Sequence, residues 1–135
     1  MNKKFSPHWK ASSQPRKQRK YRHHAPLHVK KKFLSSHLSK ELRKKYRTRN
    51  LKVRTGDRVR IQRGQFKGKE GKIEEVDAKK SKVYIAKVET TKKDGSKTRI
   101  PVNPSNLLVL ELNLDDKKRA GKLKQLEEGT VKTHG

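Results

Sequence analysis

The sequence predicts a mainly β protein, a small five-stranded barrel preceded by a basic N-terminal arm with one short helix and followed by a C-terminal tail. Three observations carry that prediction. Apolar residues recur with a period of two between residues 51 and 112, as they do on strands that bury one face. Asp94 and Gly95 stand between two of these runs, and the favoured hairpin turn needs positive φ at both central positions, which suits that pair. Five short strands in about 60 residues then argue for a closed barrel, because closure removes exposed edges.

The elements follow in order. Residues 1–34 read as an irregular arm, because Pro7, Pro15 and Pro26 interrupt its basic blocks and push each preceding residue towards extended conformations. "SSHLSKELRKKY", residues 35–46, supplies the helix: Ser39 is its N-cap, Glu41 lies in the first turn, Lys44 and Lys45 lie in the last, and Leu38, Leu42 and Tyr46 recur every four residues. Strand pairs of apolar residues come next at Leu51 and Val53, at Val59 and Ile61, and at Ile73 and Val76, whose three-residue spacing indicates a bulge. Val83, Tyr84, Ile85 and Val88 face Ile100 and Val102 across the Asp-Gly turn, and a proline turn leads into the last strand at residues 107–112. The tail permits a helix from Asp115, which Gly121 and a shortage of apolar residues weaken. The chain thus divides into an arm at 1–50, a barrel at 51–112 and a tail at 113–135.

Charge dominates the composition: 39 Lys and Arg stand against 13 Asp and Glu, a formal net charge of +26. Such a chain repels itself, and a polyanion relieves the repulsion. Nucleic acid is the first candidate and an acidic membrane surface the rival. The first 50 residues hold 17 of the bases and one acid, with only seven Leu, Ile, Val or Phe, so this arm is expected to be disordered without its partner. No cysteine is present, which excludes disulfides and thiolate zinc sites and fits a cytosolic setting. The start "MNKKFSPHWK" has no apolar core, and no run approaches a membrane span, so neither secretion nor spanning is expected.

Enzymatic and metal chemistry find little support. His23, His24, His28 and His37 lie in a cationic stretch where Glu41 is the one nearby acid, poor company for a divalent cation. Asp57, Glu70, Glu74, Glu75 and Asp77 show no paired-acid or Ser-His-Asp arrangement, and the expected role for them is to balance lysines and blunt strand edges. No metal, cofactor or catalytic residue is assigned.

The binding signals are in the arm and in one loop. The arm interleaves Trp9, Tyr21 and Phe33 with Arg16, Lys17, Arg19, Lys20, Arg22, His23, His24, Lys30, Lys31 and Lys32. Arginines that grip phosphate and aromatics that stack on unpaired bases suit RNA, the alternative being a generic polybasic patch. Lys44 and Lys45 in the last turn of the helix, with Arg47 and Arg49 after it, extend the basic surface, and Arg99 adds to it from the last hairpin. In "DRVRIQRGQFKGKEGKIEEV", Gly64 and Gly68 would let a sugar-phosphate strand approach, Arg63, Lys67 and Lys69 would neutralise it, and Phe66 would offer a stacking face. A tight turn whose glycines meet only steric needs is the competing reading.

"TGDRVRIQRGQFKGKEGKIEEV" resembles the KOW motif of ribosomal and transcription-elongation proteins, a strand, a glycine-lysine loop and a strand. With "HAPLHVKKKFLSSHLSKELRKKYRTRNLKVRTGD" before it and "RIPVNPSNLLVLEL" after it, residues 20–112 resemble the universal KOW-type family of the large ribosomal subunit, numbered twenty-four in bacteria and twenty-six in eukaryotes. The long approach is similar to the archaeal and eukaryotic form. The resemblance implies an SH3-like barrel bound to large-subunit rRNA near its 5′ domain, taken up early in assembly and placed at the rim of the polypeptide exit tunnel. It implies RNA contact by Arg63, Gly64, Gln65, Phe66, Lys67, Gly68, Lys69, Gly71 and the arm. Implied partners are neighbouring large-subunit proteins and nascent-chain targeting factors at the tunnel exit, in the cytoplasmic ribosome. Two departures, no extra residue near Gly71 and Asn103 in place of a histidine, make the archaeal version the closer fit. A KOW-type elongation factor would call for a separate polymerase-binding domain, and a DNA-compacting protein would retain any duplex equally.

Overall fold

The computed structural model describes residues 4–129. Seven strands form one sheet in the order β2-β1-β7-β3-β4-β5-β6. They are β1 (Ser35–Leu38), β2 (Asn50–Lys52), β3 (Arg58–Ile61), β4 (Glu70–Asp77), β5 (Lys82–Thr91), β6 (Lys97–Val102) and β7 (Leu107–Glu111). Neighbours are antiparallel except β1 and β7, which run parallel. The period-two reading holds: Val59 and Ile61 on β3 and Leu107 and Val109 on β7 point inward. The bulge expected in β4 lies between Ile73 and Glu75. A second irregularity, with Lys87 at φ 64, lets Val88 follow Ile85 into the core.

Two expectations need correction. The barrel is not closed by hydrogen bonds, because β1 occupies the free edge of β7 that β6 would need. Nor are there only five strands: the described residues form seven, among them β1 just before the helix at Lys40–Tyr46, where no strand was expected. That strand was concealed by Ser36, which is buried beside Leu38 and donates its hydroxyl to the Pro104 carbonyl at 2.5 Å. A serine satisfied in this way fills an inward position that an apolar count passes over.

The helices are also more numerous than the one expected: α1 (Pro15–His24), α2 (Leu27–Lys30), α3 (Lys40–Tyr46) and α4 (Lys117–Glu127). α3 is the expected element, with Ser39 accepting from the Leu42 N–H. In the arm the prolines start helices instead of breaking them. Pro15 opens α1 and Pro26 precedes α2, positions where a missing N–H costs nothing. Tyr21 on α1 is buried between Phe5 and Phe33, at ring distances of 5.4 and 6.0 Å. The weak tail reading resolves into α4, capped by Asp116 and anchored by Leu123 and Arg119.

The core is the interior of the curved sheet, where Leu38, Val59, Ile61, Ile85, Leu107 and Val109 are almost fully covered. Burying each such side chain contributes about 1.5–3 kcal/mol. Gly71 on β4 belongs to this packing. A Cβ there would lie 2.7 Å from Ile85 Cγ2 and 2.8 Å from the Ala86 carbonyl oxygen, so its steric need arises inside the fold. Gly71→Ala is expected to cost about 1–3 kcal/mol through overpacking. Thermal melting of the variant checks this, and an unchanged midpoint would contradict it.

Candidate nucleic-acid interface

A groove of about 850 Å³ separates the arm from the sheet. Arg19, Arg22 and His23 on α1 and Lys30 at the end of α2 form one wall, while Lys79, Lys80 and Lys82 form the other. Phe33, Tyr84 and the stretch around Pro104 also line it. The second wall is shaped by a turn in which Asp77 Oδ1 accepts from the backbone N–H groups of Lys79 and Lys80 at 2.9 and 3.0 Å, followed by Ser81 at φ 54. Local hydrogen bonds therefore hold the backbone of this turn against its carboxylate.

The glycine loop lies next to this groove. Gly68 N–H donates to the Ile61 carbonyl at 2.8 Å, and Gly64 and Gly68 have φ of 96 and 88. Nothing stands within 4 Å of a Cβ built on either. The conformation requires glycine here, and the space around it is open to a ligand. Phe66 packs partly against the core, with Lys69 Nζ 4.9 Å from its ring, so it anchors the loop more than it offers a free face. A hollow of about 210 Å³ between Arg63–Phe66 of the loop and β6 shares Pro101 and Asn103 with the larger groove. Loop and arm thus border one continuous surface.

Seven acidic side chains are paired away from the two hollows. Glu70 takes Arg60 and Arg58, Glu111 takes Arg58, Glu75 and Glu74 take Arg99 at 3.1 and 3.9 Å, Asp116 takes Arg54, Glu127 takes Lys45 at 4.0 Å, and Asp57 takes Arg119. Among the described residues no Asp or Glu lines either hollow, and none of the basic side chains lining them makes an ion pair. The Glu70 carboxyl is held below its ordinary value chiefly by the hydrogen bond from Arg60, and Asp116 by the Lys118 N–H and then Arg54. His24 is lowered by partial desolvation and then by the positive charge of His23, Lys20, Lys4 and Lys30. Cations crowd the arm without local compensation.

The predicted residues divide accordingly. Arg19, Arg22, His23 and Lys30 meet in the groove, and Arg63, Gly64, Gln65 and Phe66 in the hollow, with Lys67, Gly68 and Lys69 on the exposed loop. Arg16, Lys17, Lys31 and Lys32 are exposed on the arm, outside the groove lining. Lys20 sits 4.8 Å over Trp9, and the His24 ring lies 4.7 Å from that of His23. Tyr21 is buried, so its ring holds the arm together and is not a free stacking face. Lys44, Lys45, Arg47 and Arg49 surround α3, which packs on α4 and lines neither hollow. Arg99 is committed to Glu75 and to the Tyr84 ring at 5.2 Å. Lys79, Lys80, Lys82 and Tyr84 were missed, although the run "DAKKSK" at a strand junction was a visible signal.

Asp57 is also reassigned. It does not balance surface lysines: fully buried, it accepts from both Arg119 nitrogens at 2.6 and 2.8 Å and from the backbone N–H groups of Arg54 and Asn113. It fastens α4 to the sheet. Among the described residues no cluster of three or more His, Cys, Asp or Glu could hold a metal ion, and no helix is long and apolar enough to cross a membrane.

Comparison with known proteins agrees with this surface. The chain is 46% identical over 114 residues to the large ribosomal subunit protein uL24 of Methanocella arvoryzae, covering 84% of this chain and 92% of that one. It is 46% identical over 120 residues to the large ribosomal subunit protein uL24 of Nanoarchaeum equitans, covering 89% and 81% respectively. Residues 12–125 match the model of a ribosomal protein family that joins the eukaryotic protein numbered twenty-six to the archaeal protein numbered twenty-four. With most of the chain matched on both counts, the protein belongs to that ribosomal protein family.

Proposed function

We propose that the protein is a non-enzymatic, structural constituent of the large ribosomal subunit in the cytoplasm, that it binds large-subunit rRNA, and that it aids early assembly near the exit tunnel among neighbouring subunit proteins. Targeting factors at the tunnel exit are part of the same reading. One observation carries it: the basic side chains of the arm groove and loop hollow face each other without a carboxylate, while Arg54, Arg58, Arg60, Arg99 and Arg119 pair with acids. A surface left uncompensated in this way is stabilised by a polyanion. Strands β7-β3-β4-β5-β6 are read as the family's SH3-like unit, residues 1–50 as the RNA-binding arm and residues 113–135 as the C-terminal tail.

Sedimentation tests the reading. Tagged protein is expected to travel with large subunits at moderate salt, and protein left at the top of the gradient would overturn it. A variant lacking residues 1–33, which keeps Leu34 and β1, is expected to remain folded and to associate more weakly and with less salt sensitivity. If truncation leaves association unchanged, the arm has no part in it. Competition by random duplex DNA on equal terms with rRNA would favour the DNA-compacting alternative.

A further inference from the structure

We propose that the groove between α1 and the β4–β5 turn takes an unpaired RNA strand, with a base laid on Tyr84, and is not a seat for an RNA duplex. The inference rests on the RNA-binding reading above and specifies its ligand.

The shape argues first. A-form RNA offers proteins a wide, shallow minor groove and a deep major groove that side chains cannot read, so its readers present elements that lie across the helix. Here the protein surface is the concave partner, with cationic walls on both sides. Its volume of about 850 Å³ falls in the range of pockets that enclose a small molecule. That half-open space suits a short single-stranded stretch better than a rigid double helix.

The lining argues second. Arg19, Arg22, Lys79 and Lys80 line the groove together with Phe33 and Tyr84. Cationic walls that follow a backbone, with aromatic rings beneath, are the combination used for single strands, since every base has a face that can stack. A duplex, whose bases are already stacked, has no use for the rings.

The rings are also held in advance. Tyr84 is half-buried on β5, and Arg99, which does not line the groove, stands over one face of its ring at 5.2 Å while pairing with Glu75 at 3.1 Å and Glu74 at 3.9 Å, so the base is assigned to the side of the ring that lines the groove. Phe33 is steadied by Tyr21 edge-on at 6.0 Å and Arg22 at 5.8 Å. A fixed platform binds with little loss of side-chain freedom. Beside it, Asn103 accepts from Lys82 Nζ through Oδ1 at 2.5 Å, which points to its amide N–H₂ as the donor to a base edge.

The test uses the full chain and two probes of equal phosphate count, an unstructured RNA oligonucleotide and a blunt RNA duplex, by fluorescence anisotropy at one salt concentration. Tyr84→Leu is expected to weaken the single strand by about 10-fold or more and to leave the duplex within about twofold, while Tyr84→Phe restores single-strand binding. Thermal melts of both variants verify folding. Equal weakening of both probes by Tyr84→Leu, or no weakening of either, would overturn the proposal. The ribosomal reading is judged separately, by whether the unmodified protein travels with large subunits.

Discussion

Replacing Asp57 with Ala is expected to remove about 3–5 kcal/mol of stability, the usual consequence of stripping one partner from a buried ion pair. Arg119 would be left 7% exposed, with only the carbonyls of Asn113 and Lys52 at 2.9 and 3.2 Å to accept from it. The N–H groups of Arg54 and Asn113 would lose their acceptor as well. Since a small domain is stable by only about 5–15 kcal/mol, the loss is a large fraction of the whole. Urea denaturation measures it, and a change below about 1 kcal/mol would refute the role assigned to the pair. Replacing both partners with apolar residues, Asp57→Leu with Arg119→Met, is expected to recover only part of the loss, because no isolated charge then remains inside while the Arg54 and Asn113 N–H groups still lack their acceptor. The effect should vary little with salt, since buried pairs are poorly screened.

Neutralising Arg19, Arg22, Lys30, Lys79, Lys80 and Lys82 to Gln is expected to have the largest effect on RNA binding. Each phosphate contact contributes about 0.7 to the salt slope on a single strand, so six lost contacts flatten log K against log salt by about 4 and weaken binding at 0.1 M salt on the order of 10³- to 10⁴-fold. Folding should not suffer. These side chains make no ion pair among the described residues, and lowering a net charge of +26 reduces self-repulsion. The control is a matched set of six exposed lysines outside the arm and both hollows, such as Lys87, Lys92, Lys93, Lys97, Lys117 and Lys124. If the two sets weaken binding equally, the groove has no special part and only total charge counts.

Arg19, Arg22 and Lys30 were RNA-binding candidates in the sequence, whereas Lys79, Lys80 and Lys82 were missed and Asp57 was given another role, and the reason is physical. Alternation along a strand records which face is buried, so β3, the β4 bulge and the β5–β6 hairpin were legible from Val59, Ile73 and the Asp94-Gly95 pair, although the loop spans residues 92–96 and of that pair Gly95 alone has positive φ. Ser39 likewise announced α3, because an N-cap bonds within its own turn. β1 escaped because its inward partner to Leu38 is Ser36, a polar residue satisfied by Pro104, 68 residues away in sequence. α4 was a weak prospect on local propensity and is held by Arg119 reaching Asp57, 62 residues distant.

The candidate site divides in the same way. Its charge, its glycine loop and the resemblance of residues 20–112 to a ribosomal family were all present in the order of residues. Which of the 39 basic side chains remain available to RNA was not, because that depends on where the 13 acids end up in space. The strand pattern, the short helix, the family and the need for a polyanion could be read before any fold was known, since each depends on local periodicity, a motif or composition. That β1 blocks closure, that Tyr21 is interior, that Asp57 locks the tail and that Lys79, Lys80 and Lys82 face the arm became visible only in three dimensions, because each depends on contacts between residues far apart in the chain.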